Sequence, residues 1–197
     1  MATQINESMI SEVSICNQAL SWVGANQITS LTDPTTEAEW CRANYAFLRD
    51  AVLEECCWTF ATERATSTTG NEDPWGIYYE HQLPLEWLYV FRVYCDTNET
   101  EVEWVREQEF VRAKAATIYM WGIKRITDTN KFSNLFVQTL AARIAADAAM
   151  FFTQNRNLQA DLWALYQSKL QRAIIEDNRQ GRNELERWNG LTLTARR

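Results

Sequence analysis

The apolar residues Ile10, Val13, Cys16, Leu20 and Val23 recur at three- and four-residue steps and then stop at Gly24. That spacing lays one apolar stripe along a helix, and glycine is the residue that most readily ends a helix in a left-handed turn. The stripe predicts a helix from about Ser8 to Val23, with Ser8 as N-cap and Glu12 in its first turns. A second stripe, Ala38, Cys41, Tyr45, Leu48 and Val52, follows after a short connector and predicts a helix from about Thr35 to Cys57. Ile28 and Leu31 pin the connector to the core. Asp33-Pro34 brings a capping carboxylate and a proline suited to a first turn, and Glu37 and Glu39 lie at the positive end of the dipole. This start of the chain reads as two helices on a stiff connection, a packing module without visible catalytic chemistry.

The texture then changes. Thr62 to Asp73 is rich in Thr, Ser, Gly and Asn and reads as a surface loop, and Asp73-Pro74-Trp75-Gly76 as a turn. Ile77-Tyr78-Tyr79 is a short strand or an anchored loop. Trp87 to Tyr94 is β-branched and aromatic, a strand. Asp96-Thr97-Asn98-Glu99 is a turn, and Val102, Trp104 and Val105 suggest the returning strand. Ala115 to Ile126 is read as a further strand, with a short helix as the alternative. Helical texture resumes at Asp128, with Asp128 or Asn130 as cap and Phe132, Leu135, Phe136, Leu140, Ile144, Ala148 and Phe151 as a buried face. A last helix is expected from about Asn157 to Asn178, with Leu158, Leu162, Leu165, Tyr166, Leu170 and Ile174 inward. The expected fold is mainly α: an antiparallel four-helix bundle with a β-rich insertion between the two helical pairs and an extended C-terminal tail. The boundaries are 1–57 for the first helical pair, 58–127 for the insertion, 128–181 for the second pair and 182–197 for the arm.

Composition removes several classes of function. The five cysteines form no Cys-x-x-Cys pair and His81 is the single histidine, so a zinc site is not expected and the thiols read as reduced and buried. No nucleophile elbow, phosphate-binding glycine loop or His-Glu-x-x-His is present, and no catalytic residue, cofactor or metal is expected. Glu54-Glu55, Glu107 and Glu109 read as solvated faces. Met1-Ala2-Thr3-Gln4 does not open a secretory leader. Leu140 to Phe152 is the best membrane-spanning candidate, but it is short and carries Arg143 and Asp147, so no membrane association is expected. Residues 1–127 hold 9 basic and 19 acidic side chains, whereas 128–197 hold 10 and 7. Such asymmetry suits a molecule whose ends meet different partners, or a channel wall that repels DNA, and it disfavours tight DNA binding.

The ordered set Cys16-Asn17-x-Ala19-Leu20, Val23-Gly24, Ile28-x-Ser30-Leu31-x-Asp33, Ala38, Cys41, Tyr45, Arg49-Asp50-x-Val52-Leu53 and Trp58-x-Phe60-Ala61 resembles the tail tubular protein A family of short-tailed bacteriophages. Leu83-Pro84-Leu85-Glu86-Trp87-Leu88 with Val90-Phe91-Arg92-Val93, the Leu140–Ala146 run, and Leu162, Tyr166, Leu170, Ala173 and Asp177 extend the resemblance to about Gln180. Cys56-Cys57 departs from it, since relatives often carry a polar residue and a proline there. The resemblance implies a head-to-tail adaptor: a dodecameric ring, assembled in the host cytoplasm and carried in the virion, between the portal and the tail nozzle. DNA passes through its channel without specific binding. It also implies that the C-terminal arm grips the portal, through Arg182, Trp188, Leu191, Leu193, Arg196 and Arg197. The insertion then meets the nozzle through loops carrying Trp75, Tyr78 and Tyr79. The alternative is a virion-associated peptidoglycan or polysaccharide hydrolase, an activity proposed for some relatives.

Overall fold

A computed structural model describes residues 10–68, 71–72 and 76–180. The chain divides into a helical unit, Met1–Val52 with Ile126–Arg197, and a β-rich unit, Leu53–Arg125. The helical unit is built on α1 (Glu12–Val23), α2 (Thr36–Glu54), α3 (Asn134–Thr153) and α4 (Arg156–Gln180).

Helix α1 starts later than its apolar stripe suggests. Ser11 is the N-cap, in a reciprocal capping arrangement with Ser14, and Gly24 closes the helix at φ 72°. The Gly24–Thr35 connector is stiff because side chains hold its backbone. Asn17 on α1 bonds the main chain of Ile28. Asp33 does not cap α2 as expected. Its carboxylate turns back to accept from the Thr29 and Ser30 amides and the Thr29 hydroxyl. The cap of α2 is instead Thr35, whose hydroxyl accepts from the Ala38 amide at 3.2 Å. The inner stripe of α2, Ala38, Cys41, Tyr45, Leu48 and Val52, is buried.

Ser133 caps α3, and Asp128 caps a 3-10 turn at Thr129–Lys131 that precedes it. The alanines of α3, from Ala141 to Ala149, are buried, and this smooth surface lets α1 and α4 pack closely along it. By length and composition α3 is apolar enough to cross a membrane, contrary to the sequence expectation, because the helix runs on to both sides of the segment considered. Yet 56 % of its most apolar stretch is buried within the protein, as in a core helix. On α4 the buried positions are Leu162, Tyr166, Ala173 and Asp177, so the inward face is narrower than expected, and Leu165 and, on α3, Phe151 are exposed.

The expected mainly α four-helix bundle is not what forms. Among the described residues, seven strands make two antiparallel sheets, so a β-rich region is a major part of the fold. Among the helices, α3 runs against α4 and α1, while α2 is joined through separate side chains: Cys41 to Cys16, and Trp40 to Phe152 at 6.0 Å between ring centres.

The first sheet has the order β1 (Thr62–Ser67), β7 (Ile118–Lys124), β4 (Trp87–Tyr94). The second has the order β2 (Asn71–Glu72), β3 (Tyr79–Gln82), β6 (Phe110–Ala113), β5 (Trp104–Glu107). Residues 62–67, expected as loop, form β1. Its sequence is polar because it is an edge strand, and its order comes from pairing Thr62 to Ser67 with Ile123 to Ile118 of the apolar β7. β5 is not the return of β4. After a single bridge between Tyr94 and Glu101 the chain crosses to the other sheet, where β5 pairs with β6. Val90 and Val93 from β4, Ile118 and Met120 from β7, and Val111 and Ala113 from β6 close one core between the sheets. The Trp87 indole lies over Gly122, where there is no room for a side chain.

Candidate assembly surfaces

The helical unit carries large apolar side chains in the open. Phe47 on α2 is 76 % exposed, Phe151 on α3 56 % and Ile175 on α4 55 %. The α2 sequence explains the first. Beside its buried stripe it has a second apolar one, Trp40, Ala43 and Phe47, at steps of three and four that face the other way. Trp40 meets Phe152, and Phe152 meets Phe151 edge to face at 4.9 Å. That aromatic row ties the N-terminal half of α2 to the C-terminal end of α3. These positions were not among the residues expected to bind partners. The second stripe on α2 is readable from the sequence.

The residues that were expected to bind partners fare differently. Arg182, Trp188, Leu191, Leu193, Arg196 and Arg197 lie outside the described residues, as does Trp75. Tyr79 is the first residue of β3, opposite Ala113 of β6 and Glu72 of β2, so it belongs to a strand and not a loop. Tyr78 precedes it. Its hydroxyl donates to Glu103 at 3.1 Å, and Lys114 stands 5.6 Å from its ring and bonds Glu103 at 2.6 Å. Lys114 and the Tyr78 hydroxyl hold the Glu103 carboxyl below its ordinary range.

Several titratable side chains hold the fold together. His81, the lone histidine, is buried in β3. Its Nε2 lies 2.9 Å from the Ala115 carbonyl oxygen and its Nδ1 2.9 Å from the Ser67 hydroxyl. A carbonyl only accepts, so Nε2 carries the proton and Nδ1 accepts from Ser67. Both ring nitrogens are thereby occupied, Nδ1 joining β3 to β1 of the other sheet and Nε2 holding the β6–β7 connection. The Glu63 carboxyl is drawn down by the Trp87 indole N–H at 2.7 Å and by Lys124. Asp33 and Asp96 are drawn down by the turn amides and hydroxyls they accept from. A general acid needs the opposite displacement. Cys16 and Cys41 share a hydrogen bond in the core that, with burial, pushes the Cys16 thiol up. None of the five cysteines is in a disulfide, and among the described residues no group of three potential metal ligands comes together.

On the outer face of the first sheet, Arg64, Trp121 and Arg92 form one row across the three strands. The Arg64 guanidinium lies 3.8 Å from the indole centre and Arg92 5.6 Å, so the tryptophan is covered. A cleft of about 270 Å³ opens beside it, lined by Tyr94, Tyr119, Thr66 and the 96–99 turn.

No protein-family model matches this chain, and no curated protein matches it.

Proposed function

We propose that the chain is a structural virion protein, a head-to-tail adaptor that forms a ring between the portal and the tail nozzle and lines the channel for DNA ejection. The sequence resemblance suggests the role. The observation that carries it is the set of large apolar side chains left open on the helical unit, Phe47, Phe151 and Ile175 above all. Exposed apolar side chains mark protein–protein contact surfaces where they gather into a patch. A ring needs such surfaces on each copy, placed so that head-to-tail contacts close. The clamped connector between α1 and α2 supports the same reading, since a rigid helical frame presents its outer faces without an ordering cost on assembly.

The test is the mass by light scattering, alone and mixed with portal from the same phage. A ring-sized complex that appears with portal is expected, and removal of residues 182–197 should leave a folded protein that no longer joins it. Absence of any complex with folded protein overturns the adaptor reading and makes a wall-degradation assay the next step. Unaltered attachment by the truncated chain overturns the role of the arm.

A further inference from the structure

Cys16 on α1 and Cys41 on α2 are both fully buried, and their thiols share a hydrogen bond across the two helices. The connector fixes the pair from both sides. Asn17, next to Cys16, holds the Ile28 main chain. Asn26 donates to the Glu37 carboxylate at 3.0 Å, one turn before Cys41. The other thiols are placed differently. Cys56 and Cys57 are chain neighbours, and the partly exposed Cys95 donates to the Thr100 carbonyl at 3.5 Å.

We infer that Cys16 and Cys41 are a latent redox pair, kept as thiols in reducing surroundings and closed by hydrogen peroxide to a disulfide that locks α2 to α1. Two thiols held in contact by a fixed frame need little ordering to react. The hydrogen bond assigns their roles. Cys16 donates it, which favours the Cys41 thiolate and draws the Cys41 pKa down against burial and the Glu37 carboxylate. The Cys16 thiol is pushed up by the same bond and by burial. Cys41 therefore attacks a peroxide oxygen: the O–O bond breaks, a sulfenic acid forms on Cys41, and the departing hydroxide takes a proton and leaves as water. The Cys16 sulfur then attacks the Cys41 sulfur. The S–S bond forms, and the sulfenic oxygen leaves with the Cys16 proton as a second water. Two thiols are oxidised to one disulfide and one peroxide is reduced to two waters. Burial gates the reaction, because peroxide enters only when the contact between α1 and α2 opens locally.

The test uses the full chain, reduced, freed of reductant and held in excess hydrogen peroxide well past the oxidation of Cys95. It is then unfolded in N-ethylmaleimide and mapped by mass. A linked pair of peptides carrying Cys16 and Cys41 is expected, about 2 Da lighter than the two reduced peptides together and split by dithiothreitol. Full alkylation of Cys16 and Cys41, a link from either to another cysteine, or sulfinic acid at Cys41 overturns the proposal. Dimedone, which captures sulfenic acid, separates the roles. It should label Cys41 strongly in Cys16→Ala and weakly in the wild type. Equal labelling of Cys16 in Cys41→Ala, or an unlabelled Cys41 in Cys16→Ala, overturns the assignment. The lock is read on the wild type alone, so it is decided even where a variant misfolds. The oxidised chain should show a higher urea midpoint than the same sample after dithiothreitol, and an equal or lower midpoint overturns the lock. None of these readouts uses portal, so their outcome is separate from that of the adaptor reading.

Discussion

Asn17 holds the main chain of Ile28 by both of its polar groups. Its Oδ1 accepts from the Ile28 amide at 2.8 Å and its Nδ2 donates to the Ile28 carbonyl at 2.8 Å. The bond pattern of a β-ladder is thus supplied by one side chain, and it ties the buried Ile28 to the middle of α1.

Asn17→Ala leaves that amide and carbonyl unpaired beside the core. A loss of about 1–3 kcal/mol in unfolding free energy is expected, read from the urea midpoint. Asn17→Asp should be no better, because it removes the donor and sets a carboxylate against the Ile28 carbonyl oxygen. Wild-type midpoints in both variants would mean that the clamp adds nothing.

Asp33 gives the connector a pH dependence. Its carboxylate accepts from Thr29 and Ser30, which lowers its folded pKa below the unfolded value. The stability this contributes is present above about pH 4, near the ordinary carboxylate value, and is lost as pH falls through the lower folded value. Acid unfolding of the wild type should therefore steepen below about pH 4, and Asp33→Asn should flatten the curve in that window. Asp96, bonded to Thr100 and Asn98, predicts the same for the turn after β4. Parallel wild-type and Asp33→Asn curves would rule the linkage out.

Gly122→Ala drives a Cβ into the Trp87 ring and to 2.6 Å from the Tyr89 carbonyl oxygen. The ring can tilt, but a backbone carbonyl held in a ladder cannot step aside. A destabilisation of at least about 1–3 kcal/mol is expected, with faster hydrogen exchange in β4 and β7. Unchanged protection of those two strands is the contrary result.

His81→Leu keeps the bulk and removes both bonds, stranding the Ser67 hydroxyl and the Ala115 carbonyl inside the β-rich unit. It should cost about 2–4 kcal/mol, and His81→Gln, which can donate and accept, should recover part of it. Full stability in His81→Leu would show that the bridge between the sheets is dispensable.

The strongly periodic elements were legible in the sequence. The inner stripe of α2 and the strand Trp87 to Tyr94 stand where their residues put them. β1 was not legible, because an edge strand takes its order from a neighbour and carries no apolar alternation of its own. The turn at Asp96 was recognised, but a turn signal does not say which strand receives the chain, and here it leads to the second sheet. Capping was misassigned at Asp33 because two partners compete for one carboxylate, and the turn amides of Thr29 and Ser30 win. The second apolar stripe of α2, Trp40, Ala43 and Phe47, was readable as a pattern; what could not be read was which stripe the core would use.

Thr62 pairs with Ile123, so the strand that opens the first sheet lies beside the strand that closes it. The chain therefore enters and leaves the β-rich unit through two neighbouring antiparallel strands, as a graft does. Such a graft can be enlarged, trimmed or exchanged without rethreading the frame. The two parts of the chain are free to diverge at different rates, the frame constrained by its own clamps and the graft answerable to whatever it meets.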